Sequence, residues 1–380
     1  MSKTYNSPAL QVVPVKPDET SFYNVPDSSA SNLVLDVLGA GADIADLPER
    51  KKQINNNTSY DVKQKGKKRL VTMQTRTGKA EVTIELSNIE KLTGSNKPAK
   101  KLFVLSLIKA NEQAIHGGEL TRDYVSFPLQ ELVEIGFYTT LRSARAGFIT
   151  GTDALTSLKI KGRVSKSKKK VTEITSEADS SGTYALEVLF TGATIKKGQC
   201  FIYLNPRINW SFLTQYFTIL PVYYFRLPNR ASDLLYYIFY LARQHTKEIE
   251  ERGYFTIGFR AIQHRLQLPN EKGASNPLRD IKEPIEKAIE QLETEHKATY
   301  NNMDFGLLPI ADDSAPIAEY LDNGYLKVSL TGSFATRFIE LSKDTAQRIA
   351  RAEKRKEKII EKAMIQATAK NITDQQEGES

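Results

Sequence analysis

The strongest constraint on how this chain folds is an order of elements that occurs twice. From Lys100 to His116, residues Leu102, Phe103, Leu105, Leu107 and Ile108 recur at a roughly helical period, and Gly117-Gly118 stops them. A strand follows at Tyr124 to Phe127, then a short helix from Leu129 to Ile135, ended by Gly136. The longer helix Thr139 to Leu158 has Leu141, Ala144, Phe148, Ala154, Leu155 and Leu158 on its apolar side. Gly147 and Gly151 weaken it and leave room for a break near Gly151. Strands at Leu158 to Val164 and Thr183 to Phe190 enclose a polar loop, Ser165 to Ser181, and Gln199 to Leu204 completes the set.

The order then returns. Ser232 to Glu251 is a helix with Leu234, Leu235, Ile238, Leu241 and Ala242 on one side. A strand at Tyr254 to Ile257, a short helix at Phe259 to Leu266 and a loop at Pro269 to Asn276 follow. A longer helix, Pro277 to His296, leads to strands at Thr299 to Phe305 and Tyr325 to Leu330, separated by an acidic loop. Phe127 and Ile257 hold matching strand positions 130 residues apart, and Leu204 and Leu330 end the two sets 126 apart. A period this long means two copies of a domain, not a solenoid. Helix, strand, helix, helix, strand, loop, strand is the order of a winged helix. The expected class is therefore α+β, with two winged-helix domains in tandem, a flexible N-terminal tail and a C-terminal helix.

A length of 380 residues fits two domains with tails. Residues 1–60 read as a disordered tail, with Pro8, Pro14, Pro17 and Pro26 and the run Asn55-Asn56-Asn57. Its apolar island, Leu33 to Leu38, is either a docking segment or a frayed turn. Residues 61–99 hold a basic run (Lys63, Lys65, Lys67, Lys68, Arg69) and a β-hairpin, Val71 to Ile84, turning at Thr75 to Gly78. The winged-helix domains are placed at 100–226 and 227–342, and a basic C-terminal helix with a disordered end at 343–380. Asn205 to Arg230 is aromatic and is either a packed junction or a base-stacking surface. Pro284, inside the last long helix, marks a kink or the true first turn. Cys200 is alone in the sequence and lies in an apolar run, as a buried inert thiol would. The longest apolar run, Tyr216 to Phe225, is broken by Pro221 and is too short to span a bilayer, so a cytoplasmic protein without a membrane partner is expected.

The formal charge of +8 matters less than where it sits. Lys159, Lys161, Arg163, Lys166, Lys168, Lys169 and Lys170 form a run without an acid, placed by the element order in the first wing. A wing tracks the sugar-phosphate backbone, where cations release counterions. The alternative is a solvated lysine loop. The first long helix opens with Thr139, Thr140, Arg142, Ser143 and Arg145, suited to base edges or simply a charged surface. In the second half, Lys272, Ser275, Asn276, Arg279 and Lys282 gather at the loop and helix start, and Glu286, Glu290, Glu293 and Glu295 lie further along.

Motifs for catalysis are not found. There is no G-x-x-x-x-G-K-[ST], and His116, His245, His264 and His296 form neither H-E-x-x-H nor a His-x-His pair. The expectation is a DNA-binding protein that is not an enzyme and needs no cofactor.

Residues 227–292 resemble the second winged helix of Rep_3-type plasmid replication initiators. The resemblance is carried by Ala231-Ser232-Asp233-Leu234-Leu235-Tyr236-Tyr237-Ile238, by Phe255 to Leu266, and by Leu278-Arg279-Asp280-Ile281-Lys282-Glu283-Pro284-Ile285. The first half is similar in layout. The resemblance implies sequence-specific binding of double-stranded DNA at repeats in the replication origin of a plasmid or mobile element. It also implies a homodimer and recruitment of a host replication initiator and helicase, without ATP hydrolysis. A transcription regulator is the alternative, and a nicking replication enzyme a weaker one.

Overall fold

The computed structural model describes residues 22–27, 31–32, 34–35, 38, 52–55, 58–65, 68–77, 80–86, 98–116, 119–167, 170–173, 186–210, 216–266, 268–300, 304–312 and 314–340. The chain is a mixed α+β protein, and every strand pairing among the described residues is antiparallel. Strands β1 (Phe22–Asp27), β2 (Lys52–Asn55), β3 (Thr58–Lys65), β4 (Lys68–Thr77) and β5 (Ala80–Leu86) come first. Helix α1 (Pro98–Gln113), the small hairpin β6 (Ile115–His116) and β7 (Glu119–Leu120), strand β8 (Tyr124–Pro128) and helices α2 (Glu131–Glu134) and α3 (Leu141–Thr156) follow. Then come β9 (Leu158–Ser167), β10 (Lys170–Glu173), β11 (Glu187–Val188), β12 (Phe190–Lys196), β13 (Gln199–Leu204) and β14 (Tyr216–Pro221). The second half runs α4 (Asn229–Gln244), α5 (Thr246–Arg252), β15 (Tyr254–Gly258), α6 (Phe259–Arg265), a π-helical turn (Leu278–Lys282), α7 (Glu283–Thr299), β16 (Phe305–Ile310), α8 (Ile317–Asn323) and β17 (Tyr325–Leu330). Residues 332–340 are helical.

The two halves share a sheet order. In the first, β12-β13-β8 has the last strand at its centre; in the second, β15-β17-β16 does the same. The registers also match. Tyr124 pairs with Tyr203 across β8 and β13, and Gly192 lies on the other side of Tyr203. Tyr254 pairs with Ser329 across β15 and β17, and Gly306 lies on the other side of Ser329. A tyrosine and a glycine thus recur at the same two places on the outer face of each sheet. Alternation does the rest: Val125, Phe127, Cys200, Ile202 and Leu204 are buried in one unit, Phe255, Ile257, Leu326, Val328 and Leu330 in the other.

Several expectations are corrected. The strand expected to open the first wing, β9, meets its expected partner only through the short β11, with Glu187 opposite Ile160, and otherwise pairs with β5 and β10 in a seven-stranded sheet built on β2 to β5. β12 takes its place beside β13. Apolar alternation marks a strand but does not choose its partner. The hairpin expected between Val71 and Ile84 is present as β4 and β5, with Thr77 opposite Ala80. Within the supposed tail, β1 pairs with β14, and Val25, Val34, Leu35 and Leu38 are buried. Of the two readings of the Leu33 to Leu38 island, docking is the one seen. The prolines misled, because Pro26 is accommodated inside β1.

Helix α3 does not break at Gly151. It runs unbroken, and Gly147 is a packing position, since a Cβ there would run into the Tyr138 hydroxyl. The helix expected from Ser232 to Glu251 divides at His245, whose ring stacks on Phe255 at 5.2 Å. Thr299 ends α7 instead of opening a strand, and the acidic loop before β17 holds α8. Pro284 sits at the start of α7, immediately after the π-helical turn. Proline has no N–H to donate, so a register change just before it removes the conflict with the preceding turn.

The aromatic stretch after β13 is a junction. Trp210, Tyr223, Tyr224 and Phe225 are fully buried, and the Trp210 indole donates to the Asn205 carbonyl at 2.9 Å. The buried Lys101 ammonium donates to the carbonyls of Phe225 (2.8 Å) and Leu227 (2.6 Å), and Lys100 pairs with Asp233. Arg226 closes the junction. Its side chain covers Gly136, whose φ of +73° and missing Cβ allow the approach. Its guanidinium pairs with Glu295 at 3.0 Å and donates to the Thr299 hydroxyl at 2.6 Å.

Candidate nucleic-acid interface

The first candidate site is the start of α3. Thr140 is its N-cap in a reciprocal capping box with Ser143: the Ser143 amide donates to the Thr140 hydroxyl oxygen at 3.1 Å, and the Thr140 amide to Ser143 Oγ at 3.2 Å. Both hydroxyls therefore hold the helix end instead of standing free for bases. Thr139, Arg142 and Arg145 are exposed. Neither arginine makes an ion pair among the described residues, and both lie on a stripe continued by Ala146, Ile149, Thr150 and Asp153. Leu141 and Ile149 are each 50% exposed.

Helix α3 packs on β12, and the turn joining β12 to β13 projects Lys196 and Lys197 into solvent. Lys197 (φ 49°) and Gly198 (φ 77°) form a two-residue turn with positive φ at both central positions. Such turns match the right-handed strand twist. This cationic turn was missed in the sequence. The signal was there, since Lys197-Gly198 separates two β-rich runs at the spacing of a tight hairpin.

The lysine run assigned to the first wing is placed differently. β9 carries it along β5, with Glu85 opposite Lys159, Thr83 opposite Lys161 and Glu81 opposite Arg163. Glu173 of β10 faces Arg163 from the other side, and Lys159 approaches Glu85 at 3.9 Å. A segment with no acid in sequence thus acquires acids from its strand partners. Lys166 and Lys170 belong to β9 and β10, but their side chains, and Lys168 and Lys169 altogether, lie outside the described residues.

In the second unit the expected residues are engaged with one another. Asp280 accepts from the Ser275 hydroxyl (2.9 Å), the Asn276 amide (2.9 Å) and Arg279 Nε (3.1 Å). These bonds hold its carboxyl ionised, with a pKa lowered to about 2, the Asn276 amide contributing most. The Arg279 amide in turn donates to Asn276 Oδ1 at 3.3 Å, so Asn276 serves as the cap. Lys282 is turned inward. Its ammonium sits 5.0 Å from the Tyr320 ring and 3.8 Å from Glu286, with the side chain 14% exposed. Lys272 is exposed in the preceding turn. Arg260 ties that loop to α8 by pairing with Glu271 (2.8 Å) and with Asp322. Beyond the first turn, the exposed face of α7 carries Glu283, Glu286, Lys287 and Glu290.

Among the described residues no three His, Cys, Asp or Glu side chains gather where a metal ion would sit, and no helix is long and apolar enough to cross a membrane. Cys200 is buried, and burial pushes its thiol up to about 12, as expected of an inert thiol.

No family model matches the chain, so the Rep_3 resemblance is not carried by a family match, and no curated protein matches it either. Two solved structures align. One is a crystal structure of RctB domains 2-3 (residues 155–483), with a TM-score of 0.36 and 10% identity, covering 79% of this chain and 98% of that one. The other is a selenomethionine derivative of domain 2 and domain 3 of RctB, with a TM-score of 0.35 and 10% identity, covering 78% and 98%. A likeness at this TM-score establishes neither a common fold nor a common function.

Proposed function

We propose that this chain binds double-stranded DNA through two tandem winged-helix units and acts as a replication initiator of a plasmid or mobile element, without catalysis of its own. The observation that carries the DNA-binding reading is the start of α3. Two exposed arginines with no carboxylate partner among the described residues stand on a capped helix end, beside a lysine-bearing β-turn of the same unit. A helix whose first turns carry arginine is suited to the major groove, and a neighbouring turn with lysines to the phosphates. The common strand order of both units supports the tandem arrangement. The origin as the place of binding is supported by the sequence resemblance of residues 227–292 to Rep_3-type initiators. Dimer formation and contacts with a host initiator and helicase belong to the same proposal.

The test is binding of the full chain to labelled duplexes across a salt series, followed by footprinting on the DNA flanking its gene. Affinity that falls steeply with salt supports duplex binding. Salt-insensitive or absent binding removes it. Protection of direct repeats about two helical turns apart supports initiation, whereas protection of a single promoter palindrome makes the chain a transcription regulator.

A further inference from the structure

The large apolar side chains standing well exposed among the described residues are Leu141, Ile149, Leu278, Leu308, Ile310 and Tyr325. Three of the six lie on the two candidate reading helices, and two of those directly precede an exposed arginine at a helix start. Leu141, 50% exposed, follows the cap Thr140 and precedes Arg142. Leu278, 57% exposed, follows the cap Asn276 and Pro277 and precedes Arg279. Each helix start thus sets an exposed leucine directly before an exposed arginine, one residue after the cap in the first helix and two after it in the second.

Neither leucine is needed by the fold. The inward face of α3 is supplied by Ala144, Phe148, Ala154 and Leu155, and that of the second helix by Ile281, Ile285, Ala288 and Leu292. Capping is already done by Thr140 and Asn276, and a polar residue would form either helix as readily. An apolar side chain held outward beside a cation calls for a partner that is apolar and anionic side by side. The major groove of DNA is such a partner. Its base edges carry one apolar group, the thymine C5-methyl, and guanine offers O6 and N7 to a bidentate arginine.

We propose that Leu141-Arg142 and Leu278-Arg279 are one reading element used twice, each setting the leucine against a thymine methyl and the arginine on a neighbouring guanine. The target duplex then carries this thymine-guanine step twice. The inference rests on the duplex-binding reading above. In the first unit the contact extends along the helix, because Arg145, Ala146 and Ile149 continue the exposed stripe. In the second it is confined to the first turn. Glu283, Glu286 and Glu290 keep the rest of that helix away from phosphate, while Asp280 fixes the Arg279 guanidinium through Nε and so pre-orients it.

Selection of random-core duplexes on the full chain supplies the probe. The enriched duplex is then remade with deoxyuridine for thymine, which removes only the methyl groups. Enriched cores are expected to hold a thymine beside a guanine at two places. Deoxyuridine is expected to weaken binding roughly fourfold for each methyl touched, from ~0.8 kcal/mol per buried methyl-sized group. The salt slope stays unchanged, since no phosphate is approached differently. Leu141→Ala and Leu278→Ala should each erase part of the thymine preference without moving the melting temperature, both residues being exposed. Equal binding of the thymine and deoxyuridine duplexes overturns the proposal and leaves duplex binding standing. So does a thymine preference undiminished in the Leu141→Ala/Leu278→Ala double variant. Failure to bind any duplex overturns both.

Discussion

The two helix starts hold similar residues in different states. Arg142 and Arg145 of α3 stand out from their unit with no carboxylate beside them among the described residues. In the second unit Lys282 lies on Tyr320 and glutamates occupy the outward face beyond, while Arg279 stays exposed with its Nε held by Asp280. A cation near a helix start is therefore not yet a cation available to DNA. Availability depends on what the neighbouring elements bring up to it, and α8, the element that takes up Lys282, lies in the acidic loop. The strands teach the same point. The lysine run of β9 is laid in register against strands that carry acids, and Lys159 approaches Glu85, while the shorter Lys196-Lys197 pair projects into solvent at a turn.

The sharpest way to break this contrast is to remove the free cations and the engaged one separately. Arg142→Ala/Arg145→Ala should lower duplex affinity about a hundredfold, at ~1–3 kcal/mol for each arginine taken off a base edge. Lys282→Ala should change it less than about threefold, the residual being long-range charge. Equal losses, measured by fluorescence anisotropy at fixed salt, would end the distinction. The junction between the units comes next. Burial lowers the pKa of Lys101 to about 8, against the opposing pull of Asp233. The charged form is the one disfavoured in the fold, so its cost is present below about pH 8. That cost is relieved as pH rises towards the unfolded value near 10.5. Urea unfolding should show the wild type gaining on the order of 2 kcal/mol across that window relative to Lys101→Met. A parallel pH profile in the two proteins would contradict this account.

Arg226→Ala removes the cover on Gly136 and the bonds to Glu295 and Thr299, and should cost about 1 kcal/mol by the same unfolding measurement. The smallest effect belongs to the turn. Lys196→Ala/Lys197→Ala should weaken all duplexes alike, by a few-fold, and reduce the salt slope by about 0.9 for each phosphate no longer neutralised. A sequence-selective loss would instead make that turn a base reader.

Much of the architecture was legible because periodicity is a local property. The helical stripe of Leu102, Phe103 and Leu105 and the alternation of Gln199 to Leu204 announce their elements, and the return of the same order about 130 residues later announces the doubling. Arg142, Arg145 and Arg279 were found for the same reason, each standing near the start of a long periodic helix. What misled was non-local. Strand pairing depends on which edge is open nearby, and the sequence of β9 does not say that β5 will lie along it. The supposed tail contributes β1 because β14, far along the chain, has an edge to receive it.

That two similar sets of elements would form, with arginines at their long helices, follows from the order of residues alone. Backbone periodicity and capping act within a few residues, so they can be read along the chain. Which cations remain free was settled by folding, since that depends on register and on the packing of α8 and β5. Tyr320 and Glu85 become neighbours of Lys282 and Lys159 in three dimensions, and Coulomb attraction and hydrogen bonding act on distance in space.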